Sequence, residues 1–305
     1  MADPASEDLE VIVGEGGDGL PFSKGLLSRS LLATALDTPE ALAVARAIER
    51  ELRGRGAGTI TREELRALAH RTLRERVGDE MAERYLLWRR YQEPERPVVL
   101  LLMGTSGVGK SSIALEVAHR LGIGRVQSTD SIREMMRIML LPELVPAIHA
   151  SSYDAYRRLP YEAGRPHSVI DGFRAQAVAV SVGVRAFIDR TVSEGLNLVI
   201  DGVSIVPDLL DLKAYEDRAV VVPVLIATLD EETLRGRFVA RGAGRGRRGP
   251  HRYLEHLSGI LDIQRHLLEQ ARSHGIPIVD NVSFDGSVRA VLGHLMQALR
   301  RASGA

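Results

Sequence analysis

One ten-residue stretch decides the fold of this chain: Met103-Gly104-Thr105-Ser106-Gly107-Val108-Gly109-Lys110-Ser111-Ser112. It matches the pattern G-x4-G-K-[ST], in which backbone N–H groups surround phosphate oxygens at the start of a helix. The apolar run Val98 to Leu102 precedes it, and a helical pattern from Ile113 to Leu121 follows. This order predicts a phosphate-binding loop, because a turn that only connects strand to helix needs no Lys-Ser pair after its last glycine.

The residue types in this loop predict how ATP is held. Lys110 can reach the β and γ phosphates, and the hydroxyl of Ser111 can bind Mg²⁺. A second metal ligand is predicted at Asp201, because an acid that ends a buried strand beside a phosphate loop lies opposite that loop. The predicted ATP-binding residues are Gly104, Thr105, Ser106, Gly107, Val108, Gly109, Lys110, Ser111, Ser112 and Asn281.

Two of the Asp-Gly pairs in the chain receive different interpretations. An isolated Asp-Gly pair is usually a turn. The apolar run before Asp201-Gly202 and the nearby phosphate loop favour the metal role for that aspartate. The similar pair Asp171-Gly172 is predicted to form a turn or a substrate-side loop.

Apolar runs alternate with helical patterns from the phosphate loop onward. This alternation predicts an α/β fold in which a parallel sheet is covered by helices on both faces. Ligands of such sheets bind beyond the carboxyl ends of the strands, which is where Asp130, Asp201 and Asn281 are expected. The predicted strands span residues 98–103, 125–129, 196–200, 220–228 and 276–279.

A candidate acceptor site follows the second of these strands. Asp130 can accept a hydrogen bond from a substrate hydroxyl or help order the Mg²⁺ shell. Arg133 and Arg137 are four residues apart, so they share one helix face and suit a small polyanion. The alternative is that Asp130 only caps the helix and that both arginines are solvated.

A strip of arginines and glycines is predicted to act as a lid over the phosphates, supplying positive charge and excluding water. The alternative, a nucleic-acid contact, is disfavoured by zero net charge and 4% aromatic residues. Arg241 is assigned to the catalytic set. The arginines of the strip are Arg235, Arg237, Arg241, Arg245, Arg247, Arg248 and Arg252.

Composition limits the classes of protein to which this chain can belong. Its 305 residues suffice for two domains, and 40 basic residues balance 40 acidic ones, so no global field attracts nucleic acid or a membrane. The absence of cysteine excludes disulfides and thiolate metal sites. No apolar run is long enough for a membrane span, so we expect a cytoplasmic protein. Self-association is left open.

The residues before the phosphate loop predict a separate, small and mainly helical domain. Thr61 to Glu64 has the pattern of a capping box. Met81, Tyr85 and Trp88 continue an apolar stripe that is typical of a buried helix face. Two prolines within residues 92–97 mark a linker, so the expected domains are 1–95 and 96–305.

The chain resembles the archaeal and bacterial 2-phosphoglycerate kinase family over nearly its whole length. The resemblance implies a P-loop kinase that transfers the γ-phosphate of ATP to the 3-hydroxyl of 2-phosphoglycerate, a small phosphorylated acid, and gives 2,3-bisphosphoglycerate. Residues 20–27 and 29–31 resemble the ATP-cone, a nucleotide-binding regulatory module. The segments similar to the kinase family are 104–137, 146–153, Gly172-Phe173-Arg174-Ala175-Gln176, 201–207, 252–254 and 276–281.

Two departures from these families keep alternatives open. Asp201 stands where the family has glutamate, and Ser204 where it has histidine. A kinase for another acceptor, such as a sugar, sugar acid or nucleotide, is therefore a second hypothesis, and a non-enzymatic nucleotide-dependent switch is a third. Residues 12–17 lack the basic residue that usually precedes an Asp-Gly turn in the cone. That domain is accordingly expected either to bind a nucleotide or to serve packing or dimerisation.

Overall fold

The computed structural model describes residues 11–14, 19–55, 58–91, 96–161, 164–243 and 254–304. The chain divides into two compact units, Met1–Gln92 and Glu93–Ala305. The predicted boundary near residue 95 lies outside the described residues.

Within its described residues, the front unit combines a three-stranded sheet with four α-helices. Strand β1 pairs antiparallel with β2 and parallel with β3. The capping box is confirmed: the Thr61 hydroxyl accepts from the Glu64 N–H, and the Glu64 carboxylate accepts from the Thr61 N–H. The elements are β1 Ile12–Val13, β2 Leu20–Pro21, α1 Lys24–Leu32, α2 Thr38–Gly54, β3 Thr59–Ile60, α3 Arg62–Arg76 and α4 Asp79–Arg90.

The apolar stripes of these helices form the core of the front unit, as predicted. Tyr85 on α4 belongs to this core, and Met81 packs against it from a partly buried position. Trp88 on the same helix is also buried. Leu68 and Leu73 on α3 are also buried. The spacing of these side chains places them on one face of each helix, so burying that face stabilises the unit.

The second unit is built on a five-stranded parallel sheet with the order β5-β6-β4-β7-β8. All five predicted strands are present, and the α/β interpretation is confirmed. The elements are β4 Val98–Met103, α5 Lys110–Leu121, β5 Val126–Ser128, α6 Thr129–Met139, α7 Val169–Ser193, β6 Leu198–Gly202, β7 Val220–Ala227, α8 Glu231–Ala243, α9 Leu257–Ser273, β8 Ile278–Asp280 and α10 Phe284–Ala302.

The central strand β4 sets the register of the site. All six of its residues are buried, which is what a strand covered on both faces requires. Leu102 lies beside Asp201 of β6 on one side and beside Val224 of β7 on the other. The carboxyl ends of β4 and β6 therefore meet, and the loop after β4 begins next to the carboxylate of Asp201.

One prediction for this unit is wrong. Asp171-Gly172 forms neither a turn nor a loop, because Asp171 is the third residue of α7. Its carboxylate accepts hydrogen bonds from the N–H and hydroxyl of Ser168, and the Ser168 hydroxyl accepts from the Asp171 N–H. The reciprocal capping pattern outweighs the turn preference of Asp-Gly, since it satisfies two donors at the helix start.

The predicted lid is also revised in part. Arg235 and Arg237 lie on α8, so this section of the arginine strip is a helix rather than a glycine-loosened lid. The backbone at Arg241 belongs to the same helix. The side chain of Arg241 and the residues Arg245, Arg247, Arg248 and Arg252 lie outside what the structure describes. Within the described ranges, no helix has both the length and the apolar content of a membrane span.

Candidate active site

The phosphate loop turns sharply between β4 and α5. Gly104, Gly107 and Gly109 have φ angles of 147°, 88° and 86°, a region that other residues rarely adopt. At Gly109 a Cβ atom would also lie 2.6 Å from Nδ2 of Asn281. A side chain at this position would both strain the loop and push it away from its support.

The start of α5 is prepared for an anion. Among the described residues no side chain caps α5, whose N-cap is Gly109. In contrast, serine hydroxyls accept from backbone N–H groups at the starts of α6, α7 and α10. The first N–H groups of a helix need acceptors, and the helix dipole favours a negative one. The loop and the helix start thus fit the phosphates of ATP.

Asp201 and Ser111 form the oxygen pair predicted to hold the metal. The Ser111 hydroxyl donates to Oδ2 of Asp201 over 2.6 Å. Asp201 is only 3% exposed, and this burial is the main reason that the pKa of its carboxyl is raised. The charge of Asp130 raises the pKa further. The hydrogen bond from Ser111 and the charge of Lys110 lower it in part. No group of three or more His, Cys, Asp or Glu side chains in the described part of the chain could hold a metal ion. A hydroxyl and one carboxylate nevertheless fit Mg²⁺, which keeps several waters and binds substrate phosphates.

Asn281, the residue after β8, supports the loop. Its Nδ2 donates to the Val108 carbonyl over 2.7 Å, and its Oδ1 accepts from the Ser287 hydroxyl over 2.9 Å. Arg237 donates to the carbonyls of Val108 and Asn281 and, over 2.9 Å, to the Thr228 hydroxyl. Because these bonds use the Asn281 amide on the protein side, the side chain holds the loop in place. Direct contact between Asn281 and ATP stays a prediction.

An acceptor-sized cavity of about 400 Å³ lies beside α6. Such a volume is typical of sites for small molecules. The cavity brings together the three residues predicted for the acceptor and adds a wall that follows α6 in sequence. It is lined by Asp130, Ser131, Arg133, Glu134, Arg137, His149, Ala150 and Ser151.

The two arginines of this pocket differ in how firmly they are held. Arg133 has 14% of its side chain exposed; Nη1 donates to the Ala150 carbonyl over 2.6 Å, and Nη2 lies 3.8 Å from Oδ1 of Asp130. Its Nε is buried and has no hydrogen-bond partner among the described residues. Arg137 is half-exposed and pairs with Glu134. Arg133 is therefore the oriented cation and Arg137 the adjustable one.

Asp130 lines the pocket with a largely exposed side chain. Its side chain is 69% exposed. The capping alternative for Asp130 is wrong, because Ser128 caps α6 by accepting from the Ser131 N–H over 3.1 Å. The charge of Asp130 also contributes to the raised pKa of Asp201, although burial is the main cause.

Spacing and periodicity assign no role to three further residues of the site, although His149 and Gln176 fall in segments that resemble the kinase family. His149 lines the pocket, and its Nε2 donates to the Leu140 carbonyl over 3.0 Å. Phe238 on α8 lies against Gly107, where an added Cβ would overlap its ring. Gln176 on α7 donates to the carbonyls of Ala147 and Ala150. These contacts join distant segments, so only the fold reveals them.

Comparison with known proteins agrees with this geometry. Residues 10–94 match the family model of the ATP cone domain. A 2-phosphoglycerate kinase of Pyrococcus furiosus is 38% identical over 95% of this chain and 94% of its own length. A 2-phosphoglycerate kinase of Methanopyrus kandleri is 39% identical over 92% and 85% of the two chains, and one of Methanothermobacter thermautotrophicus is 40% identical over 90% of each.

The same family is found for both units, since these alignments run through the front unit and the phosphate-loop unit alike. Among solved structures, a gluconokinase from Sinorhizobium meliloti covers 69% of this chain and 99% of its own at 19% identity, with a TM-score of 0.40. The sequence relatives therefore carry the assignment. By that similarity, which extends over at least nine tenths of its length, the chain belongs to the 2-phosphoglycerate kinase family.

Proposed function

We propose that this protein transfers the γ-phosphoryl group of Mg-ATP to the 3-hydroxyl of 2-phosphoglycerate, giving 2,3-bisphosphoglycerate and ADP. The observation that carries the proposal is the pocket in which Asp130, Arg133 and Arg137 stand together. A hydroxyl acceptor with two anionic groups needs one carboxylate and two cations, and the pocket offers that set. The neighbouring Ser111–Asp201 pair and the uncapped start of α5 provide the site for the nucleotide.

The proposed chemistry assigns a role to each group. The hydroxyl oxygen of the acceptor attacks the γ-phosphorus, the bond from this phosphorus to the bridging oxygen breaks, and ADP leaves with the electron pair. Asp130 takes the hydroxyl proton. Lys110 and the backbone of the phosphate loop stabilise the charge on the phosphates. Mg²⁺ held by Ser111 and Asp201 would neutralise further phosphate charge.

The arginines bind the acceptor in this scheme. Arg133, oriented by the Ala150 carbonyl, holds one anionic group next to Asp130. Arg137 exchanges Glu134 for the second group. Arg241 is proposed to add positive charge over the phosphates. Bidentate guanidinium contacts suit both carboxylate and phosphate, which is why two arginines select a phosphorylated acid over a neutral sugar.

An acceptor panel tests the proposal. Purified protein receives Mg-ATP and, one at a time, 2-phosphoglycerate, 3-phosphoglycerate, glycerate and gluconate, and acceptor-dependent ADP release is followed. We expect turnover with 2-phosphoglycerate and a product that carries two phosphates by ³¹P NMR. Preference for gluconate would move the protein to the sugar-acid alternative. No acceptor-dependent release with any compound would favour the nucleotide-dependent switch.

We further propose that residues 1–95 form a regulatory domain that binds a nucleotide and that the protein acts in the cytoplasm, where ATP is available. A cavity of about 230 Å³ in the front unit supports the regulatory role. Apolar side chains such as Phe22 and Leu65 line it beside Arg62, Arg66 and Arg89. A cavity lined by apolar side chains together with three arginines suits a base joined to phosphates. Fractionation of cells tests the location.

A further inference from the structure

A buried amide holds one wall of the acceptor pocket from outside. The wall contains His149, Ala150 and Ser151. Gln176, on α7 behind it, is only 2% exposed, and its Nε2 donates to the Ala147 carbonyl over 2.7 Å and to the Ala150 carbonyl over 2.9 Å. Both acceptors belong to the segment that ends at the pocket, so α7 anchors this wall at two points.

The Ala150 carbonyl connects Gln176 to the substrate-facing arginine. It accepts from Nε2 of Gln176 and, over 2.6 Å, from Nη1 of Arg133. A carbonyl oxygen has two lone pairs, so both donors are satisfied together. The position of Ala150 therefore sets the direction of the Arg133 guanidinium. If the carbonyl moves, the remaining donors of Arg133 move with it.

Burial of a polar side chain at this place needs a reason. An amide that leaves water loses hydrogen bonds and is tolerated only when it finds partners inside the protein. An apolar side chain of the same size would pack α7 without that requirement. One turn earlier Gly172 lies against the backbone of Ala155 and Tyr156, so α7 already approaches this region closely. The amide of Gln176 thus serves mainly to orient its hydrogen-bond partners, rather than to fill space.

We propose that Gln176 is a positioning residue for the acceptor: through the Ala150 carbonyl it orients Arg133 toward the anionic group of the phosphorylated acid. The inference rests on the proposed function, because it takes the cavity beside α6 as the acceptor site. It assigns no contact between Gln176 and the substrate. Under this inference Gln176 affects binding of the acceptor but not of ATP, because it has no hydrogen bond to the phosphate loop among its described contacts.

The substitution Gln176→Met tests the inference, because methionine keeps the length of the side chain and removes both donors. We expect the KM for 2-phosphoglycerate to rise roughly tenfold, as the loss of an orienting hydrogen bond permits. The KM for ATP should stay within about twofold of wild type. If Gln176→Met is not obtained folded, Gln176→Leu takes its place, because it also removes both donors and buries no charge.

A second buried glutamine provides a matched control. Gln264 on α9 donates to the Thr228 carbonyl over 3.0 Å and accepts from the Thr228 N–H over 3.3 Å, on the side of the sheet end that supports the phosphate loop. Gln264→Met removes the same chemical group and should leave the KM for 2-phosphoglycerate unchanged. An acceptor KM that rises equally in both variants would show a general effect of losing a buried amide and overturn the inference.

A double-variant cycle distinguishes positioning from simple loosening of the fold. If Gln176 acts through Arg133, adding Gln176→Met to Arg133→Lys should raise the acceptor KM by less than the product of the two single effects. Full multiplication of the effects, a normal acceptor KM in Gln176→Met, or equal rises in the KM values for acceptor and ATP would each overturn the proposal.

The wild-type measurement separates this inference from the proposed function. A protein that phosphorylates another phosphorylated three-carbon acid, but not 2-phosphoglycerate, refutes the proposed substrate, and the same variants are then judged with that acceptor. A protein that uses no phosphorylated acid overturns both statements. Turnover of 2-phosphoglycerate with an unaltered acceptor KM in Gln176→Met overturns the positioning role alone.

Discussion

Asp201 is a buried acid of the proposed metal site, and its burial affects the pH dependence of stability. Burial raises the pKa of its carboxyl, so the folded protein binds a proton there more readily than the unfolded chain does. Ionisation therefore costs stability: the contribution of this group is most favourable below the unfolded pKa and is lost as pH rises through the folded pKa. The ionised carboxyl that metal binding needs is therefore the less stable form of the ligand-free site.

We predict that Asp201→Asn stabilises the ligand-free protein while it lowers kcat about a hundredfold or more, since a neutral amide removes the buried charge and a metal ligand. The Tm difference from wild type should be small in acid and grow as pH rises through the pKa of Asp201. Melting curves from pH 4 to pH 8, without and with Mg-ATP, measure it. A Tm difference independent of pH would contradict the explanation.

Lys110 is proposed to act on phosphate charge, and its side chain is not part of the buried core. We predict that Lys110→Ala lowers kcat by about a hundredfold or more, near 3 kcal/mol of transition-state stabilisation, with little change in Tm. Steady-state kinetics and a melting curve of the variant provide both readings. Near-normal turnover of the variant would contradict the assignment of the phosphate loop to the reaction.

Arg133 and Asp130 should affect different kinetic constants. Arg133→Ala is expected to raise the KM for the acceptor at least tenfold more than the KM for ATP, because its guanidinium faces the pocket beside α6. Asp130→Asn should mainly lower kcat, because the amide cannot accept the hydroxyl proton. Initial rates over both substrate concentrations give these constants. Equal rises in the two KM values for Arg133→Ala would place this arginine on the nucleotide side.

At the scale of elements, the phosphate loop depends on segments far away in sequence. Asn281, which follows strand β8, and Arg237 on helix α8 both donate to the Val108 carbonyl. The loop itself is rich in positive φ angles and has little intrinsic preference for one shape. These supports hold the loop in the form that phosphate needs, before any phosphate binds.

We predict that Asn281→Ala raises the KM for ATP roughly tenfold and leaves the KM for the acceptor unchanged, since it removes one hydrogen bond that orders the loop. Ser287→Ala is the matched control, because it removes only the hydroxyl that donates to Asn281 and should have a smaller effect in the same direction. Kinetics with each substrate varied separately make the comparison. An acceptor KM that rises alone would contradict this role for Asn281.

At the scale of the whole molecule, the residues proposed for catalysis and those proposed for regulation lie in different compact units. The phosphate loop, the acceptor pocket and both acids belong to Glu93–Ala305, whereas the arginine-edged cavity belongs to Met1–Gln92. Each unit buries its own core. A regulatory ligand in the front unit would change the rate only by favouring one state of the protein over another.

We predict that a protein shortened to begin at Gln92 retains kinase activity and loses any response to a nucleotide effector. The full-length protein should respond with a coupling of about 1 to 3 kcal/mol. In the full chain, Arg66→Ala, at the edge of the front cavity, should weaken that response and leave kcat unchanged. Equal responses of shortened and full-length protein would refute regulation, and a folded but inactive shortened protein would show that the front unit helps to build the active site.

The elements that the sequence determined are those encoded by neighbours in the chain. The phosphate loop, the five strands and the capping box at Thr61 follow from short patterns, because apolar runs, glycine conformations and caps act over a few residues. Asp171 shows the limit of this kind of reasoning: the turn preference of two residues lost to a cap that involves Ser168, three positions earlier.

Tertiary structure alone decided how distant groups combine into a site. Asp201 comes within 2.6 Å of Ser111 because the parallel register of β4 and β6 brings their ends together across ninety positions of sequence. Gln176 meets Ala150 only because α7 packs behind the pocket. Such contacts leave no periodic trace in the sequence. Their energies depend on burial and direction, which exist only once the chain has folded.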